Sequence, residues 1–141
     1  MNNRYLYRAK RTDNREWIVG SLIQAPYLGM IRSWISSEQE DKARLREISS
    51  NQAVWRAFEV RTDTVCQCTS LKDKNGKLIW ENDIVKHDFG ECQIGVQLAI
   101  VKYDSKYACY QIKPIYDWMY CDKSDCEVIG NIFDNPELIN E

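Results

Sequence analysis

The chain has 141 residues, enough for one domain with a core of its own, and 44% apolar against 28% charged residues is a globular composition. Its 19 basic and 21 acidic side chains leave a net charge of −2, which argues against binding nucleic acid as a bulk polycation and leaves room only for a local basic patch. The opening residues MNNRYLYRAKR carry charge every few positions, unlike a leader, and no apolar run reaches about 18 residues, so the expectation is a cytoplasmic protein with no membrane partner.

Arg4–Ala9 and Glu16–Gln24 read as two short strands joined by the polar turn Lys10–Arg15, an N-terminal hairpin with Trp17, Val19 and Ser21 on one face. Ala25-Pro26 is expected to end the pairing, because proline cannot donate to a ladder. Met30–Ile35 is a further short strand. Ser36–Ala57 has another texture: Glu38, Glu40 and Asp41 precede Lys42, Arg44 and Arg46, an order that suits the helix dipole, so a short helix is expected near 38–48. It could equally be an excursion between strands.

Strand signals return at Phe58 and Val60 and again at Val65-Cys66-Gln67-Cys68. Asp73-Lys74-Asn75-Gly76 is the strongest turn in the chain, since Asn75-Gly76 supplies the positive-φ residues that a tight hairpin needs. Leu78–Trp80 follows, then a second tight turn at Glu81-Asn82-Asp83, then Ile84-Val85-Lys86. Ile94, Val96, Leu98 and Ile100 alternate along a long strand. Asp104-Ser105-Lys106 turns the chain, and Tyr107–Lys113 is expected to pair back. Pro114–Asp125 is irregular, Cys126–Gly130 is a last strand, and Asn135-Pro136 opens one helical turn, with Asn135 as its cap. The fold class is therefore mainly β, a β-rich α+β chain. The whole 1–141 is read as a single domain, with room for two lobes (1–69 and 70–141) meeting near Ser70.

Three stretches resemble one family: RYLYRAKRTDNREWIVGSLIQ, VRTDTVCQCTSLKDKNGKLIWENDIVK and EVIGNIFDNPELI. They are similar to the YopX family of phage and prophage proteins, whose framework runs "FRAKR-DN-EWV-GSLI", "TV-Q-TGLKDKNGKEIYEGDIV" and "VIGNI-ENPELL". The resemblance implies a β-rich fold, an N-terminal hairpin region and a C-terminal part similar to a small SH3-like barrel. It also implies a phage or an integrated element as the source. It brings no chemistry and no catalytic residue. Ser70 and Asn82 stand where the family usually has glycine, and asparagine is the residue that best tolerates left-handed backbone in its place.

The chemistry-bearing groups have sufficient structural explanations. Absence of an export signal makes thiols rather than disulfides the expectation for the six cysteines. Cys66-x-Cys68 and Cys121-x4-Cys126 lack the usual two-residue gap of a structural zinc site. In a strand, Cys66 and Cys68 share a face and read as small core residues. His87, the only histidine, falls just past a strand as a solvated side chain, with Cys92, Asp88 and Glu91 nearby in sequence. The carboxylate groups Glu81/Asp83, Asp88/Glu91 and Asp122/Asp125/Glu127 show no contrast of apolar and polar surroundings, and Asp83 reads as the cap of its own turn. No cofactor and no metal are expected.

One run is sharper. Lys102, Tyr103, Lys106, Tyr107, Tyr110 and Lys113, continued by Tyr116, Trp118 and Tyr120, could stack single-stranded bases while the lysines meet phosphates. The same aromatics serve equally well as cross-strand core pairs. The leading expectation is a non-catalytic phage or prophage accessory protein, a binding module that forms a homo-oligomer or contacts a phage or host protein. A nucleic-acid-binding protein of phage replication or host takeover is the alternative, and a thiol- or metal-dependent enzyme a further one.

Overall fold

Apolar–polar alternation resolves into strands throughout the computed structural model, which describes residues 3–37, 57–88, 96–114 and 126–140. In chain order they are β1 (Tyr7–Lys10), β2 (Trp17–Tyr27), β3 (Met30–Ser36), β4 (Ala57–Val60), β5 (Cys66–Lys72), β6 (Leu78–Trp80), β7 (Asp83–Asp88), β8 (Val96–Asp104), β9 (Cys109–Pro114) and β10 (Cys126–Asn131). Every pairing among them is antiparallel. The backbone divides into two compact units, Tyr5–Gln67 and the chain from Cys68 onward, and β5 runs from the first into the second. The helix expected near 38–48 lies outside the described residues.

In the N-terminal unit the strand order is β4-β3-β2-β1-β5, with Cys66 and Gln67 of β5 paired to Arg8 and Tyr7. β2 does not end at Pro26. It continues to Tyr27, whose register partner is Met30, and the link is the two-residue turn Leu28-Gly29 at φ 48° and 78°. A two-residue loop makes Tyr27–Met30 a hydrogen-bonded pair, so its neighbour Pro26–Ile31 is a non-hydrogen-bonded one and the missing N–H of Pro26 removes nothing from this ladder. Gly20 is required here because a β-carbon at this position would run into the carbonyl of Ser36. One face carries the core: Ala9, Ile18, Ile35 and Val60 are buried, flanked by Tyr7, Leu22, Phe58 and Val65. Each of the isoleucines contributes about 1.5–3 kcal/mol on burial, and a one-residue slip of β2 would carry Ile18 to the other face, so the register is strongly specified.

The C-terminal unit holds the open sheet β10-β7-β8-β9 and, beside it in sequence, the pair formed by the end of β5 with β6. Its core is Ile79, Val85, Ala99, Val101, Ile112 and Cys126, with Tyr110 and Val128 packed against it. In β8 the buried positions are Ala99 and Val101, while Leu98 and Ile100, the apolar residues of the sequence alternation, are only half-buried on the opposite side. The strand reaches Asp104, and β9 begins at Cys109, so Tyr107 lies in the turn and not in the returning strand. Ile129 is an extra residue in β10, which shifts the register between Val128↔Val85 and Gly130↔Ile84. The last turn, Pro136–Leu138, is 3₁₀ with proline at its start, but Asn135 does not cap it through its side chain. Instead Asn135 Oδ1 accepts from the Asn131 N–H and sits where a β-carbon on Gly130 would be. Among the described residues no ladder closes the expected SH3-like barrel, and β10 and β9 stay at the edges of their sheet.

Candidate functional site

The turn residues are where the sequence places them, with a different geometry. Asp73 N–H donates to Lys77 O at 2.8 Å and Gly76 N–H to Asp73 O at 3.0 Å. Only Gly76 (φ 81°) has positive φ, so Lys74-Asn75-Gly76 is a three-residue loop ending in a left-handed glycine and not a two-residue turn. Asp73 organises it. Its Oδ1 accepts the N–H groups of Asn75 and Lys77 at 2.9 Å each, and its Oδ2 accepts that of Val128 in β10 at 3.0 Å. Lys74 N–H donates to Cys126 O at 3.0 Å, and the Lys74 ammonium lies 3.2 Å from Glu127. The loop thereby serves the free side of β10. Burial works to raise the pKa of Asp73, but the N–H groups of Val128, Lys77 and Asn75 and the charge of Lys77 outweigh it and hold the carboxyl below its ordinary value.

Asn82 has φ 68° and Ser70 φ 64°, the left-handed backbone implied by the glycines of the resemblance. Asn82 N–H donates to Val101 O at 2.8 Å, its carbonyl accepts from Ile132 N–H at 3.1 Å, and its Oδ1 takes the Lys102 ammonium at 2.6 Å. Asp83, 1% exposed, accepts the Trp80 N–H at 2.8 Å. Both landmarks are structural anchors.

The aromatic–basic set of β8–β9 is divided. Tyr103 and Tyr110 are register partners on the core side, edge to face with centroids 5.2 Å apart. Lys102 alternates to the other side and is held by Asn82, while Lys106 and Tyr107 meet in the turn, 5.3 Å from ammonium to ring centroid. Lys113 is the register partner of Ile100. The lysines and tyrosines thus share no single platform.

Cys66 and Cys68 do share burial, at 0% exposure each, and Cys66 donates its thiol to Thr64 O. They are free thiols, as are Cys109 and Cys126. His87 is not a solvated side chain beyond a strand: it lies inside β7, 5% exposed, opposite Cys126 in β10 and Gln97 in β8. The strand continues through it because both neighbours pair there. Cys92, Glu91, Cys121, Asp122 and Asp125 lie outside the described residues. Among the described residues no three His, Cys, Asp or Glu side chains gather in a group able to hold a metal ion.

What the sequence does not announce is the tip of the β2–β3 hairpin. Leu28 is 86% exposed, and Met30, Tyr27, Ile31 and Ile23 between 69% and 49%. No charged residue occurs from Gln24 to Ile31. β1 pairs with β2 only as far as Gly20, and β4 pairs with β3 only from Ser33, so the tip has no strand beyond either edge among the described residues. Below it, Arg32 makes a two-pronged contact with Glu59 (2.6 and 3.2 Å) that raises its already high pKa. The composition signal was present, since QAPYLGMI is an uncharged stretch, but only the pairing shows that nothing covers it.

A family model described as YopX protein matches residues 6–140, nearly the whole chain. A solved structure, the crystal structure of protein EF1440 from Enterococcus faecalis, superposes with a TM-score of 0.52 over 95% of this chain and 96% of that one, at 22% identity, a likeness of fold alone. No curated protein matches the chain. Among the described residues no helix is long and apolar enough to cross a membrane.

Proposed function

We propose that this chain, which belongs to the YopX family, is a non-catalytic interaction module that self-associates through the tip of its β2–β3 hairpin. The observation that carries the reading is the exposure of Tyr27, Leu28, Met30 and Ile31 together on one uncharged turn. A contiguous apolar patch of that kind marks an interaction surface on an otherwise polar molecule. The edge of β2 adds to it: in the register with β3, Leu22 and Gln24 direct their N–H and C=O groups away from β3, on the side that β1 leaves after Gly20. Pro26, with no N–H, limits how far a further strand can pair.

Support for a non-catalytic role comes from the buried polar groups. Ser33 bonds Thr62, Thr64 bonds Lys10 and Arg61, Thr69 bonds Ile79, and Asn131 bonds Phe133 and Asp134, each a contact that shapes the chain. The free thiols suit a cytoplasmic setting, and the phage or prophage setting follows from the family resemblance. Light scattering on the size-exclusion peak tests the association across a wide concentration range. The wild type is expected to be a dimer or larger, and Leu28→Ser with Met30→Ser a monomer with an unchanged melting temperature. A wild type that stays monomeric at every concentration overturns the reading.

A further inference from the structure

β2 has a strand on both sides over its first part and on one side over the rest. β1 pairs with it only from Trp17 to Gly20, while β3 follows it to Tyr27. Hydrogen-bonded pairs alternate along an antiparallel ladder, and the pair Tyr27–Met30 at the two-residue turn fixes their phase. Leu22, Gln24 and Pro26 therefore turn their main-chain groups to the side that β1 leaves, with N–H donors on Leu22 and Gln24 and a carbonyl on all three. The outer edge of β10 is guarded, since Asp73 takes the Val128 N–H and Lys74 N–H donates to Cys126 O. Beyond Gly20, β2 has neither a bulge nor a charged side chain to guard it, and only Pro26 interrupts its donors. No charge occurs from Trp17 to Ile31, in a chain with 28% charged residues.

On the premise of self-association at this hairpin, we propose its geometry: the β2 strands of two copies pair antiparallel, edge to edge, about a two-fold axis at Gln24. Only residues that face the vacant side can exchange bonds, which leaves axes at Ile23, Gln24 and Ala25 to compare. An axis at Ile23 sets Pro26 of the second copy against Gly20, whose groups already serve Tyr7 of β1. An axis at Ala25 leaves only Gln24 opposite Pro26, and proline donates nothing, so two bonds form in all. The axis at Gln24 gives four: two between the Gln24 residues, and one from each Leu22 N–H to a Pro26 carbonyl. It also ends in time, because Tyr27 of the second copy stands opposite Ser21 and its turn at Leu28 comes just where β1 begins. The side chains agree with this register. On the outer face Ile23 lies opposite Ala25 and diagonal to Tyr27 of the second copy, so residues 49% and 55% exposed cover one another. On the other face Leu22 meets Pro26. An uncharged edge matches an uncharged strand, and a second copy supplies one over the whole paired length, with no like charges opposed.

Cysteine cross-linking of the full chain reads the register. Cys109, an exposed native thiol, is first replaced by serine. Under oxidised glutathione, Gln24→Cys is then expected to form a disulfide with its own copy, because directly opposed hydrogen-bonded residues have Cα atoms about 5.5 Å apart. Ile23→Cys lies diagonal to its copy at about 7–8 Å, beyond the reach of a disulfide, and two Leu28→Cys residues lie about 27 Å apart along the strands. Gln24→Pro costs the β2–β3 ladder no bond, since this N–H faces away from β3, but it removes two of the four bonds between copies. It is expected to weaken association about 5- to 150-fold in light scattering. Gln24→Ala gives up only its side-chain contact with Ser33, keeps the N–H and associates as wild type. If Gln24→Pro does not fold, the cross-linking pattern decides. A wild type that is monomeric at every concentration overturns this geometry together with self-association itself. An associating protein that cross-links through Ile23→Cys or Leu28→Cys in place of Gln24→Cys overturns the axis at Gln24 alone, as does a folded Gln24→Pro that associates as tightly as wild type, and self-association stands.

Discussion

Replacing Asp73 is expected to be the most costly single change in the turn motif. Its carboxylate accepts three backbone N–H groups, from Asn75, Lys77 and Val128. A hydrogen bond to a charged group is worth about 1.5–3 kcal/mol, but Asn75 and Lys77 lie in a surface loop where water replaces part of the loss. Asp73→Ala should therefore cost about 2–4 kcal/mol, below the sum of three bonds. Asp73→Asn keeps one oxygen but no charge, and is expected to cost about 1–2.5 kcal/mol. With a urea slope of about 2 kcal/mol per molar, Asp73→Ala moves the midpoint down by about 1–2 M at constant slope. The pH dependence supplies the sharper test. The folded value of Asp73 is depressed below its ordinary 3.8, so its contribution is present above that value and is lost as pH falls through the folded one. The gap between wild type and Asp73→Asn should then be full at neutral pH and narrow below about pH 4. An unchanged midpoint at neutral pH, or a gap that stays constant into acid, would refute the argument.

Gly20→Ala should cost more than about 2 kcal/mol, because its β-carbon meets a backbone carbonyl that cannot yield, whereas Gly130→Ala should cost less since the Asn135 side chain can swing away; paired urea titrations check the order. Ser70→Gly should leave stability within about 0.5 kcal/mol of wild type, the relief of left-handed strain offsetting the extra freedom of the unfolded chain, while Ser70→Val loses about 1–2 kcal/mol in thermal melts. Pro26→Ala should change stability by less than about 1 kcal/mol, as the restored N–H lies outside the β2–β3 ladder, and a larger loss in the same melts would contradict the register.

Local chemistry decided a good deal. Turn chemistry placed the reversals at 73–77 and 81–83, alternation placed the strands around them, and the glycines of the resemblance marked Ser70 and Asn82 as left-handed positions. Where local reasoning failed, a partner strand was the missing fact. Pro26 does not end β2 because its imide nitrogen faces away from β3, where no ladder donor is needed, and His87 is buried because β8 and β10 both pair alongside it. Ala99 and Val101 form the core in place of Leu98 and Ile100 because side-chain size does not say which face of a strand its neighbours cover.

The candidate surfaces divide in the same way. That Trp17, Val19 and Ser21 share a face follows from the two-residue period of a strand, and the sequence by itself determines it. That Arg8, Lys10, Arg32 and Trp34 join them follows from the register that sets Arg8 against Val19, Lys10 against Trp17, Arg32 against Ala25 and Trp34 against Ile23, a relation that the period of one strand does not contain. Exposure is likewise a property of what the rest of the chain leaves uncovered. The sequence determined the strands, their turns and their alternation, and only the tertiary structure decided which faces meet a core and which meet solvent.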